Sequence, residues 1–235
     1  MYFLLPPSET KATGGSQSFA LEQLSFPDLI EVRKAVLGAY GSSEIYGVLG
    51  MAAIDRYTGT LFSAVHGRGL KGTSTANNSL TEAERALAHG AVFIQSALFG
   101  LVGVNDALPV YKLNPSRKLN GLDLKKTWAD AHLSLWSAFG SAPILDLRSK
   151  AYAELAPIPA EVGAYSVVVF VEKDNGVREQ LNHFNKKSKG QLVRSALIGQ
   201  EIPKTIDELA ERASLAGLKL EVSDRVITVV TRQAT

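Results

Sequence analysis

The stretch "NHFNKKSKGQLVRSAL", Asn182 to Leu197, crowds Lys186, Lys187 and Lys189 against Gly190, with Arg194 following. If a helix begins near Lys187, then Lys187, Gly190 and Arg194 share one face, because residues three and four apart are helical neighbours. Leu192, Val193, Ala196 and Leu197 supply the opposite, buried side. Glycine inside a helix costs about 1 kcal/mol relative to alanine, so Gly190 implies close approach of a ligand or of another backbone. A helix N-terminus with free N–H groups and adjacent lysines suits an anion.

Two further clusters carry chemistry. "PPSETK" sets Ser8, Glu9 and Lys11 directly after the apolar run "YFLL", at a strand end where binding loops are common. "QSALFGLVGVNDALPVYKLNPSRKL" holds Ser96 inside an apolar run and Asp106 alone before Pro109. Tyr111, Lys112, Arg117 and Lys118 follow. A lone serine and aspartate framed by core residues need partners, since buried polar groups are hydrogen-bonded.

The charge is unevenly placed. The chain has 235 residues and a net charge of +2. Residues 1–110 carry seven Lys+Arg against nine Asp+Glu, residues 111–150 seven against three, and residues 172–200 six against three. Two basic segments brought together would form a positive cleft that attracts a polyanion or a phosphorylated small molecule. Zero cysteines exclude disulfides, thiolate metal sites and cysteine nucleophiles. The four histidines, His66, His89, His132 and His183, form no i, i+4 pair, so neither a metal site nor a cofactor is expected. "GRGLKG", Gly67 to Gly72, is followed by "TSTANNS", a loop rather than the helix a dinucleotide fingerprint needs. The apolar runs are far shorter than the roughly 20 residues that cross a bilayer. No basic region precedes the apolar start. A cytoplasmic protein without membrane contact is expected.

These residues must be positioned by mixed elements. "YFLL" reads as a buried strand. "FPDLIEVRKAVLGAY" has helical spacing, and with a short helix in "SSEIYGVLGMAAI" it predicts a helical hairpin at about 27–54. "TLFSAV" fits a strand or a helix start. Thr81 and Glu84 form a capping box before "ERALAHG". "AVFIQSALFGLV" reads as one buried strand, "DLKKTWADAHLSLWSAFG" as a helix, and "APILDLRS" as a strand and turn. "KDNG" joins two strands as a hairpin. A helix "TIDELAERASLAG" and a hairpin "KLEVSDRVITVVT" close the chain. Without regular βαβ alternation the class is α+β: one domain over 1–235, with a mixed or antiparallel sheet flanked by helices.

Taken in order, several segments resemble blocks of the YaaA peroxide-stress protein family. They are "LLPPSETK", "YTGTLF" with Tyr57, "SALFGLVGVNDALPVYKL", "LKKTWAD", "ILDLRSKAYAEL" with Asp146, Ser149 and Tyr152, and "HFNKKSKGQLVR". The chain departs from the family pattern where Gly103-Val104 replaces a proline, and where Lys11 stands in for the lysine of a Ser-Pro-Ala-Lys loop. Segment 27–54 carries only Arg33 and Lys34 as cations and no Gly-x-Gly hairpin. That departs from the helix-hairpin-helix element of better-known members.

The resemblance implies a YaaA-like fold with a basic cleft. It also implies DNA binding, a place in the hydrogen peroxide response, and limitation of damage from free iron, with no established reaction. Two readings follow. In the first, 111–118 and 186–194 form a phosphate-tracking groove for DNA or another polyanion. In the second, Ser8, Glu9, Lys11, Tyr57, Ser96, Asp106, Lys112, Lys187 and Arg194 converge on a pocket for a small anionic ligand, with Tyr111 at its wall. Glu9, Asp106 and Ser96 are then the catalytic candidates, and whether a reaction occurs is left open.

Overall fold

In the run Tyr2–Leu5 (β1), Phe3, Leu4 and Leu5 are all fully buried, as a continuous apolar run predicts for a central strand covered on both faces. The computed structural model describes residues 1–41, 45, 48–68 and 79–232. After β1 come β2 (Gln17–Ser18), α1 (Ile30–Tyr40), β3 (Leu49–Ala52), α2 (Ala53–Arg56) and α3 (Thr60–Val65). Then follow α4 (Glu82–His89), β4 (Val92–Ser96), β5 (Gly100–Gly103), β6 (Ala107–Leu108), α5 (Leu124–His132), β7 (Ile144–Asp146) and α6 (Lys150–Ala153). The last third holds β8 (Tyr165–Glu172), β9 (Arg178–Glu179), α7 (Asn182–Leu197), α8 (Ile206–Leu215), β10 (Lys219–Ser223) and β11 (Val226–Arg232).

Among the described residues the main sheet runs β10-β11-β8-β7-β1-β4-β5, with β9 paired to β8. The pairs β11–β8, β8–β7, β7–β1 and β1–β4 are parallel, and β10 and β5 are added antiparallel at the edges. The sheet is therefore mixed, with helices packed on it, in the expected α+β class. Side chains alternate across it: Phe3, Leu5, Ile94, Leu145, Val167 and Val169 enter one core, and Leu4 and Ile144 enter a second with Leu135, Trp136 and Phe139.

Several local expectations change. "AVFIQSALFGLV" is not one strand but the hairpin β4–β5, turned through Ala97–Phe99, and Gly100 takes a φ of +68°. A Cβ on Gly100 would lie 2.5 Å from the Trp128 ring, so only glycine fits. "TLFSAV" is the helix α3. Residues Leu49–Ala52, expected in a second helix, form β3 between β2 and β6; Gly50 there lies too close to Ala107 for a side chain. The rest of that helix lies partly outside the described residues. Helix α7 starts at Asn182, earlier than Lys187. The Thr81–Glu84 capping box is present in both its hydrogen bonds.

Topology decides where a ligand could sit. From β1 the sheet grows to one side through β4 and to the other through β7 and β8. In sheets of this kind, the crevice outside the carboxyl ends of such diverging strands is the usual ligand position. The loop after β1, the turn after β4 and the segment after β7 all emerge there.

Candidate functional site

Pro6 and Pro7 stop β1, and the next residues fold back on Tyr57. Ser8 Oγ donates to Thr10 O and accepts from Thr58 N at 2.9 Å. Lys11 forms an antiparallel bridge with Tyr57. Arg56, fully buried, fixes this loop from beneath. Its guanidinium donates to Leu108 O (2.9 Å), Gly14 O (2.7 Å) and Ala12 O. A buried charge bonded to carbonyls rather than to a carboxylate is a backbone clamp. Nothing in the residue type reveals such a role, because arginine is usually exposed.

The clamp leaves the Lys11 ammonium over two aromatic rings, 4.3 Å from the Tyr111 centroid and 5.5 Å from that of Tyr57. Its hydrogen bond goes to Ser8 O at 3.2 Å. Among the described residues no carboxylate lies within ion-pair distance of it. Burial lowers the Lys11 pKa to about 8; Arg56 adds to this and the charge of Glu9, itself exposed, opposes it.

Beneath Lys11 runs a chain of hydroxyls. Tyr57 and Tyr111 meet oxygen to oxygen at 2.5 Å, and Tyr111 meets Ser96 Oγ at 2.8 Å. Ser96 Oγ also accepts from Leu98 N (3.1 Å) and Phe99 N (3.0 Å) in the β4–β5 turn. A serine oxygen has two acceptor sites. With both taken by backbone N–H, its own proton points to Tyr111. Burial pushes both tyrosines well up, so they are neutral hydrogen-bonding groups. Tyr152, on α6 beyond β7, is also raised, first by burial and then by its coupling to Tyr111 and to Glu9.

Lys189 reaches the same end of the sheet from α7. Only 8% exposed, it donates to Leu147 O, one residue past β7, at 3.0 Å. Burial lowers its pKa and Asp146 opposes this. Asp146 is held by Arg148 through Nε (2.8 Å) and Nη2 (2.7 Å), so its charge is already paired. Among the described residues Lys189 has no carboxylate within ion-pair distance.

Other candidates sit elsewhere or do other work. Gly190 faces α3: a Cβ there would run into Leu61 O and lie 2.7 Å from the Ala64 Cβ. The close approach is thus to another backbone. Arg194 donates to Val65 O at 3.0 Å and pairs with Glu84 at 3.4 Å, and Gly67 gives its guanidinium room. Asp106 accepts from Ser25 N (2.9 Å), Ser25 Oγ (2.8 Å) and Gly103 N (2.9 Å), which ties two loops together. Burial raises its pKa against those donors and the nearby Arg33. Arg33 itself bonds four carbonyls, of Ser25, Phe26, Phe99 and Leu101. Lys112, Lys118 and Lys186 are exposed, Lys187 is half-buried, and Arg117 stacks on Tyr40 at 5.2 Å. Residues 69–72 of "GRGLKG" lie outside the described residues.

The structure therefore brings Ser8, Glu9, Lys11, Tyr57, Ser96 and Tyr111 to one place, with Lys189 at the neighbouring strand end. Tyr152 stands among them. Asp106 and Arg194 are built into loop and helix contacts. Among the described residues no group of three His, Asp or Glu is placed to hold a metal ion, and no helix is long and apolar enough to cross a membrane.

Comparison with known proteins gives a consistent result. A family model described as "Peroxide stress protein YaaA" matches residues 34–223. A UPF0246 protein of Corynebacterium efficiens is 32% identical, covering 95% of this chain and 96% of its own. A UPF0246 protein of Streptomyces coelicolor is also 32% identical, over 94% of this chain and 92% of its own.

Proposed function

The chain belongs to the family of the peroxide stress protein YaaA, and from that premise we propose that it binds a small anionic ligand at the carboxyl ends of β1, β4 and β7. Lys11 and Lys189 are its charged contacts, and Tyr57, Tyr111 and Tyr152 line the site. One observation carries this reading. Among the described residues, two largely desolvated ammonium groups at adjacent strand ends have a single carbonyl each as hydrogen-bond acceptor and no carboxylate partner. An ammonium has three donors, and a buried charge needs compensation. An anion supplies both. Titration of the protein with inorganic phosphate and, separately, with pyruvate tests it. Saturable binding that is lost in Lys11→Gln and in Lys189→Gln is expected; binding unchanged in both would overturn the reading.

A second reading rests on a different set of cations. Lys112, Arg117, Lys118, Lys186 and Lys187 have no carboxylate within ion-pair distance among the described residues. They belong to the two segments that reach the sheet end through Tyr111 and Lys189. Such cations would track the phosphates of DNA or another polyanion, and shielding DNA in this way would limit iron-linked damage under peroxide. Oligonucleotide affinity would then fall with salt, and Lys186→Ala with Lys187→Ala would flatten the dependence by about 0.7–0.9 log units per lost phosphate contact. An unchanged slope in that variant and in Lys112→Ala with Lys118→Ala would dismiss the polyanion.

A further inference from the structure

We infer that Lys11 is an amine nucleophile that forms an imine with a small aldehyde or ketone bearing a carboxylate or phosphate, while Lys189 holds the anionic group. This rests on the anion reading above and names its substrate class. The two lysines share the sheet end, but their surroundings differ. Lys11 lies on the faces of Tyr57 and Tyr111 with the Arg56 guanidinium nearby. Lys189 is tied to Leu147 O, and the burial that lowers its pKa is opposed by Asp146, itself paired with Arg148. A desolvated lysine near a second cation is the kind that gives up its proton to become a nucleophile, and the lowered pKa of Lys11 agrees with that role. Lys189, fixed in place by its bond to Leu147 O, serves as the anchor.

The step balances without a further reactant. The Lys11 ammonium releases one proton to solvent. The freed lone pair of Nζ attacks the carbonyl carbon, and one of the two remaining Nζ protons passes to the carbonyl oxygen to give a carbinolamine. Loss of that oxygen as water, carrying the last N–H proton with it, leaves a C=N bond to Nζ. The hydroxyls of Tyr57 and Tyr111, bonded to each other and through Tyr111 to Ser96, belong to the two rings that carry the amine.

Reductive trapping of the full chain tests the inference. The protein is incubated with glyoxylate and cyanoborohydride near neutral pH, and adducts are mapped by peptide mass spectrometry. Lys11 is expected to be modified at least about ten-fold faster than any exposed lysine. Inorganic phosphate should slow that reaction, and uncharged propionaldehyde should lose the selectivity. Lys11→Arg, which keeps the charge, should lose the selective adduct yet still bind phosphate in the titration without reductant. Adducts spread evenly over the exposed lysines would overturn the nucleophile while phosphate binding stood. Loss of phosphate binding in the unmodified chain would overturn the anion reading itself.

Discussion

Lys11 and Ser96 show how little a residue's type says until its neighbours are known. Lys11 sits in a hexapeptide that reads as a binding loop at a strand end, and Arg56 draws that loop down until the ammonium rests on two rings. Its side chain should titrate near pH 8 by nuclear magnetic resonance instead of near 10.5. Glu9→Gln should lower the midpoint further, because the Glu9 charge favours the ammonium; a midpoint at the ordinary lysine value would refute the burial. The sign for stability follows from the folded value lying below the unfolded one. The fold favours the neutral amine, so this group adds stability as pH rises from about 8 towards 10.5. Ser96 stood out as a lone hydroxyl in an apolar run, and the rule that such a group needs a partner holds. That the partner is Tyr111, 15 residues on, could not be read from spacing. Tyr111→Phe leaves buried hydroxyls without a partner and should cost about 1–3 kcal/mol in urea unfolding. Ser96→Ala strips the acceptor from two turn N–H groups and should cost at least as much.

Helix α7 joins the sheet end to α3, and Gly190 is its contact point. Glycine at a solvated helix position would be a flaw, and alanine there would add about 1 kcal/mol of stability. Gly190 instead packs on Leu61 and Ala64 of α3, where an added methyl must push backbone apart. Gly190→Ala should therefore destabilise, by about 1–3 kcal/mol or more, and a stabilised variant in thermal unfolding would contradict the α3 contact. Helical spacing made α7 legible from its sequence, as it did α1 and α5, while a capping box marked α4 and a glycine stop marked α8. It could not show that the basic face is divided, with Lys189 and Arg194 turned to internal carbonyls and Lys186 left exposed. The β4–β5 hairpin escaped for a related reason. Its turn is as apolar as its strands, because Trp128 covers it, so the usual polar turn signal is absent.

At the scale of the whole molecule, one buried histidine ties helix to sheet. His132 at the end of α5 accepts from Leu101 N of β5 at 3.1 Å through Nε2 and donates to Trp128 O at 2.7 Å through Nδ1. Burial is the main cause that lowers its pKa to about 4. The folded value lies below the unfolded one, so the stability of the neutral form is complete above about 6.5 and lost as pH falls towards 4. That amounts to roughly 3 kcal/mol. Urea midpoints should fall through this window, and His132→Gln, whose amide oxygen can still accept from Leu101, should flatten the fall. An equally steep fall in the variant would assign the acid sensitivity to other groups. The same tertiary scale holds the ligand question. Three distant loops, after β1, β4 and β7, share one end of the sheet only because β1 lies between β4 and β7.

By itself the sequence determined the element types where periodicity and capping are strong, the α+β class, the family blocks, and the excess of cations in two segments. Those features are local, and local propensity and pattern carry them. Tertiary structure decided which cations stay without acidic partners, because pairing depends on burial and on neighbours far along the chain. It drew Arg194 into α3 and Asp106 into a loop staple, and among the described residues it left Lys11 and Lys189 at adjacent strand ends with one carbonyl acceptor each. Strand order, set by non-local pairing, is what brings these scattered residues to one end of the sheet.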